Sequence, residues 1–201
     1  MNNIVFIEGV SGVGKTTTTR LLRDKLLDMG YNAGCHLEGD PDNPLDPFKG
    51  TYPPVIPLTV FSETYMQCWQ NFMENQFKKD FILILDGTLF HHQINDLIRE
   101  YDAADEVIAN HILKLLEMIQ QANPIVFYLF SNDVGKSLIQ ARISRKQSLP
   151  AEERIAYWEN RKRVDLYVLE RLSAESHAQN IDDGWSAMFE TVIKLINTER
   201  V

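Results

Sequence analysis

"FIEGVSGVGKTTTTRLL", Phe6 to Leu22, sets an apolar run, a glycine-rich turn, a lysine, four threonines and a helical pattern in immediate succession. Gly9, Gly14, Lys15 and Thr16 satisfy G-x-x-x-x-G-K-[ST], with a strand pattern before and a helix pattern after, the context this motif requires. Glycines let successive backbone amides turn inward and form a nest for phosphate oxygens. A helix starting near Lys15 aims the positive end of its dipole at the same point. Lys15 adds a point charge for the β- and γ-phosphates, and the Thr16 hydroxyl is placed for Mg²⁺. Ser11, Gly12, Val13 and Thr17 complete the cradle. The stretch is expected to hold ATP and Mg²⁺.

Working outward, short apolar runs alternate with helical patterns. Strands are expected at Asn3 to Glu8, Ala33 to Glu38, Phe81 to Asp86, Pro124 to Phe130 and, weakly, His177 to Ile181. Several are nearly continuous hydrophobics, as strands covered on both faces are. Helical spacing runs over Thr16 to Met29, stopped by Gly30, and over Val60 to Phe77, Glu106 to Gln121, Ser137 to Lys146, Ala151 to Leu172 and Trp185 to Asn197. The alternation gives an α/β class with a parallel sheet, and 201 residues make one domain, 1–201. One segment breaks the rhythm. Glu38 to Thr59 carries Pro41, Pro44, Pro47, Pro53, Pro54 and Pro57, which exclude helix and central strand. Phe48, Tyr52 and Val55 give it packing groups, so it reads as a folded wall or lid beside the site.

Lys plus Arg number 20 against 28 Asp plus Glu, a net charge of −8. This argues against a nucleic-acid partner, which needs a basic face. Cys35 and Cys68 have no metal-site spacing and read as reduced thiols. No run approaches the ~20 apolar residues of a membrane span, and "MNNIVFIEG" lacks the basic start and apolar run of a leader. The chain reads as cytoplasmic, without a membrane partner.

A second acid follows the third apolar strand. In "FILILDGT", Asp86 stands where a carboxylate holds the Mg²⁺ shell. The next residue is Gly87. An adjacent glutamate would suggest water activation for hydrolysis, and no N-K-x-D guanine-reading sequence occurs, so an ATPase motor and a GTPase switch are disfavoured. Phosphoryl transfer to a small acceptor remains. The alternative is a nucleotide-binding regulatory or partner-binding protein without transfer.

"FIEGVSGVGKTTTTRLLRDKL" resembles the start of thymidylate kinases and deoxynucleoside kinases, including the acid before the glycine loop, Glu8. "CHLEGD" places Glu38 at the second strand end, where deoxynucleoside kinases carry a glutamate that takes the acceptor proton. "VFYLFSNDVGKSLIQARISRKQ" resembles the strand, helix and arginine-bearing lid of both families, and "HAQNIDDGWSAMFETVIKLI" their last strand and helix. The resemblance implies a three-layer P-loop fold with strand order 2-3-1-4-5, a basic helical lid over 142–163, and pairing into a homodimer through helices after the second and third strands. It also implies a nucleoside or nucleoside monophosphate as the phosphate acceptor. The chain departs from both families after Asp86, where "LDGTLF" has no arginine.

With that order Glu38, Asp86 and the glycine loop open at one edge of the sheet, beyond the strand carboxyl ends. Asp86 is assigned to the metal with Thr16, and Glu38 to the acceptor proton; the reverse remains open. Lys15, Arg142 and Arg145 are assigned to the transferring phosphate. By resemblance, Arg142 packs on adenine and Arg145 reaches the phosphates. Arg154, Arg161, Lys162 and Arg163 extend the basic run with less weight. Phe61, Tyr65, Cys68, Trp69 and Phe72 form a helical stripe that reads as core; by resemblance Tyr65 and Trp69 wall the acceptor pocket. His91 is a further acceptor contact; beside His92 it does not make a metal pair.

Overall fold

The computed structural model describes residues 4–41, 43–49, 55–78, 80–183 and 186–198. Five parallel strands, β1 (Ile4–Gly9), β2 (Ala33–His36), β3 (Ile82–Asp86), β4 (Ile125–Phe130) and β5 (Glu175–Asn180), form one sheet in the order β2-β3-β1-β4-β5. This is the expected P-loop kinase-like topology. Helices α1 (Lys15–Asp28), α2 (Leu58–Asn75), α3 (His91–Arg99), α4 (Asp105–Met118), α5 (Val134–Ser144), α6 (Glu152–Leu169) and α7 (Ser186–Thr198) cover both faces.

Strand alternation divides the core in two. Val5 and Ile7 of β1 join Leu22 and Leu26 of α1 and Val192 and Ile196 of α7 on one face. Ile4 and Phe6 join α2, α3, α4 and α6 on the other. β1, β3 and β4 are buried on both faces, which is why their sequences read as unbroken apolar runs. β1 is central, with β3 on one side and β4 on the other. The crossovers diverge there and leave a crevice beyond the strand carboxyl ends.

Three elements differ from the sequence reading. α3 was not expected; its first positions, His91 and His92, are polar, and only Ile94 and Leu97 supply a buried apolar stripe. β5 starts at Glu175 rather than His177, because an edge strand needs no apolar run. The proline-rich segment is folded over its described residues 43–49. Leu45 is buried, and Phe48 stacks on Phe61 at 5.7 Å and meets Tyr65 edge-on at 5.6 Å. Cys68 donates to the Pro44 carbonyl at 3.0 Å, tying this wall to α2. Tyr52, Pro53, Pro54 and Trp185 lie outside the described residues. Cys35 and Cys68 are free thiols. No helix among the described residues is long and apolar enough to cross a membrane.

Candidate functional site

The glycine turn sits where β1 ends and α1 begins. A Cβ at Gly9, which has φ 141°, would stand 2.2 Å from the Leu129 carbonyl oxygen, so only glycine lets β1 leave the sheet against β4. Lys15 Nζ, nearly buried, reaches back to the Val10 carbonyl at 3.4 Å and lies 3.5 Å from Glu38 Oε2. Thr16 donates its hydroxyl to Asp86 Oδ2 at 2.6 Å. Asp86 is fully buried, and its other oxygen, Oδ1, has no protein partner. Burial raises the Asp86 carboxyl, while Lys15 and the Thr16 hydroxyl oppose the rise. A buried carboxylate oxygen left open beside a threonine hydroxyl fits Mg²⁺, which takes one or two protein oxygens and fills its octahedron with water and phosphate.

Glu38 occupies the centre of the crevice. Oε2 faces Lys15, and Oε1 lies 3.1 Å from His91 Nε2. Burial holds His91 well below the usual histidine range, and Lys15, Arg161 and His92 push it further down. A neutral imidazole facing a carboxylate donates from Nε2, so Nδ1 is its acceptor nitrogen. Gly87 explains the missing arginine. It lies at φ 63°, and a Cβ there would meet Glu38 Oε2 at 3.0 Å, Lys15 Cε at 3.2 Å and His91 Cβ at 3.3 Å. The position that bears arginine in the kinases the sequence resembles is here a left-handed turn, with Glu38, Lys15 and His91 packed against the place of its side chain.

Two buried groups support this arrangement. Glu8, wholly buried, accepts the amides of Leu89 at 2.8 Å and Phe90 at 3.2 Å and so pins the turn that leads into α3. Burial outweighs those amides and Lys15, lifting its carboxyl to about 8. From the opposite side, Arg161 of α6 grips the same turn. Its guanidinium donates to the Phe90 carbonyl at 2.9 Å, the His91 carbonyl at 3.3 Å and Asn95, and pairs with Asp165 at 2.7 Å. Asp165 also accepts the Tyr128 hydroxyl at 2.9 Å. In sequence Arg161 stands among the lid cations. The structure corrects this: i, i+4 pairing with Asp165 buries it completely.

The cleft above the glycine turn measures about 340 Å³. Ser11, Gly12, Gly14, Thr16 and Thr17 line it on the glycine-turn side, and Glu38, His91, Trp158, Arg145 and Arg154 complete the lining. Trp158 stacks on the His91 ring, centroids 5.5 Å apart. Trp158, 6 % exposed, packs in the core and also lines the cleft, as does Arg154 from the basic run. The signal for them was their place in the first turns of the helix after the lid loop. Arg142 is not in this lining; its neighbour in α5, Ala141, backs Gly12 together with Ser137. Lys162 and Arg163 are engaged elsewhere, with the Ser131 carbonyl and Asp105. Val13, 1 % exposed, packs in the core beneath the turn, so only its backbone is available to phosphate.

Tyr65 and Trp69 are 1 % and 0 % exposed and belong to the core beside Phe6, Phe61 and Phe90. Their rings pack as the helical stripe requires, so neither opens onto the phosphate cleft. Their polar atoms, Tyr65 Oη and Trp69 Nε1, have no protein hydrogen-bond partner.

No family model matches this chain, and no curated protein matches it. Among solved structures, the chain is similar to the YorR protein from Bacillus subtilis in complex with phosphorylated GDP, with a TM-score of 0.55 and 12 % identity over 98 % of this chain and 97 % of that one. It is also similar to deoxyadenosine kinase from M. mycoides with bound dATP, with a TM-score of 0.51 and 16 % identity over 98 % of this chain and 100 % of that one. At these identities the likeness is one of fold.

Proposed function

We propose that the protein is a Mg-ATP-dependent kinase that transfers the γ-phosphoryl group to a small hydroxyl-bearing acceptor, a nucleoside or nucleoside monophosphate being the nearest class. The observation that carries this reading is the position of Glu38. Its carboxylate lies 3.5 Å from the glycine-loop lysine and 3.1 Å from a neutral histidine, at the mouth of the phosphate cleft. A base there reaches an acceptor hydroxyl on the open side of a γ-phosphate held by Lys15. Two solved structures of this fold hold nucleotides, which supports the phosphate assignment.

In the transfer, the acceptor oxygen bonds to the γ-phosphorus, the bond from that phosphorus to the β–γ bridging oxygen breaks, and ADP leaves. The hydroxyl proton passes to Glu38. His91 fixes the carboxylate by donating to it and, being neutral, does not compete for that proton. Lys15, Arg145 and Arg154 face the charge that spreads over the transferring oxygens. Thr16 and Asp86 would hold Mg²⁺, which would supply positive charge to offset that of the phosphates. Arg142 is assigned to the adenine side. Cytoplasmic localisation and a homodimer belong to the same reading.

The test is ADP formation from Mg-ATP with nucleosides, their monophosphates and small hydroxy-metabolites, using Lys15→Ala as control. Acceptor-dependent ADP release that disappears in the variant is expected. Tight ATP binding with no release for any acceptor would overturn transfer and leave a nucleotide-binding module.

A further inference from the structure

A second cavity, of about 420 Å³, is lined from α2, α3 and α4 and shares no lining residue with the phosphate cleft. Leu58 and Met66 of α2 and Leu97 of α3 give it apolar surface. Glu63 of α2 and Lys114 of α4 give it one charge of each sign. Both are exposed, and neither forms an ion pair with another described residue. One cavity therefore carries an apolar lining and two opposite charges that do not satisfy each other.

His111 of α4 lines the same cavity and is 5 % exposed. Its ring lies beside Phe61 at 5.8 Å and Tyr65 at 6.0 Å, and a hydrogen-bond chain fixes its tautomer. Gln93, fully buried, donates its amide nitrogen to the Thr88 carbonyl at 3.2 Å, and its amide oxygen lies 2.7 Å from His111 Nε2. An amide oxygen only accepts, so Nε2 carries the proton and Nδ1 is the acceptor. Nδ1 has no protein partner. Burial, then the Lys114 charge, lowers the imidazole to about 4, so the ring is neutral and Nδ1 keeps its lone pair. A buried acceptor without a donor is uncommon in a core that is complete by itself. The cavity thus presents a carboxylate and a neutral imidazole to a donor, an ammonium to an anion, and apolar side chains to the rest of an occupant.

We propose that this cavity is a second binding site, for a small zwitterion with an apolar side chain, of the class of free aliphatic and aromatic amino acids. Its ammonium is met by Glu63 and brings a donor to His111, its carboxylate is met by Lys114, and its side chain lies against Leu58, Met66 and Leu97. The volume is that of a small-molecule site. Selection comes from the pair of charges, because a molecule lacking either one leaves Glu63 or Lys114 without a counterpart. Through Gln93 the site is tied to the turn that follows Asp86. The site stands apart from phosphoryl transfer and does not depend on it.

The test is an NMR titration of the full chain with two matched sets: phenylalanine, phenethylamine and 3-phenylpropionate, and leucine, isoamylamine and 4-methylpentanoate. In at least one set the zwitterion should bind about fivefold tighter than each of the two molecules that lack one charge. Glu63→Gln should erase the preference over the acid and keep the preference over the amine. Lys114→Gln should do the reverse. Both positions are exposed, so both variants should keep the wild-type Tm. Equal binding within both sets, a preference that neither variant changes, or no binding in either set would overturn the proposal. Absent binding together with a molecular mass twice that of the chain would give the cavity to a second copy and overturn it too.

Discussion

The phosphate half of the cleft comes from one continuous stretch, Gly9 to Thr17, with Asp86 behind it. The proposed acceptor half depends on separated elements: Glu38 in the turn beyond β2 and His91 at the start of α3, which face each other across the cleft. The first half is a backbone structure, dictated by glycine conformation and a helix terminus, and the same backbone serves any nucleoside triphosphate. The second is a side-chain structure, held by buried contacts such as Arg161 on the turn into α3. Backbone sites tolerate little change in sequence and specify little; side-chain sites carry the specificity. The two halves meet at Glu38, whose oxygens face Lys15 on one side and His91 on the other.

If the halves are separable, damage to each should read out differently. Lys15→Ala should give the largest loss, about 10³-fold in turnover together with weakened Mg-ATP binding, measured by ADP release and calorimetry. Glu38→Gln should lower kcat by about 10²-fold while ATP affinity stays within a factor of two; a parallel loss of affinity would break the division between the halves. Gly87→Ala should cost about tenfold in kcat, because φ 63° is strained for alanine and the new Cβ presses on Glu38 and Lys15, with a drop of several degrees in Tm.

Glu8→Gln should act mainly on stability. The buried carboxyl titrates at about 8 when folded and near 4.5 when unfolded. Its neutral form is therefore the stable one, and the wild type loses stability as pH rises from about 4.5 through about 8, by on the order of 4 kcal/mol. The variant does not titrate. Its Tm should be close to wild type at pH 5 and exceed it increasingly toward pH 8.5, by about 8–16 °C. A constant difference across that range would show that Glu8 is not buried as a carboxylic acid.

The sheet was legible in sequence because doubly covered strands must be apolar throughout, and β1, β3 and β4 are. The glycine loop was legible because its geometry admits few residues. Asp86 and Glu38 were found as acids at strand ends. What stayed hidden depends on tertiary contact. Nothing local marks Arg161 as buried and Arg154 as facing the cleft; both lie on α6, and only the packing of that helix separates them. The absent arginine after Asp86 reads in sequence as a departure from related kinases, and its reason, the closeness of Glu38, Lys15 and His91 around Gly87, exists only in three dimensions. α3 escaped notice because its apolar stripe is two residues wide.

The most direct measurement is to follow the γ-phosphate itself. Mg-ATP labelled in the γ-position is incubated with the wild type and Glu38→Gln in the presence and absence of the best acceptor. Label appearing in the acceptor, dependent on acceptor concentration and about 10²-fold slower in Glu38→Gln, is the predicted result. Label released only as inorganic phosphate, at a rate indifferent to acceptor and to Glu38, would contradict it.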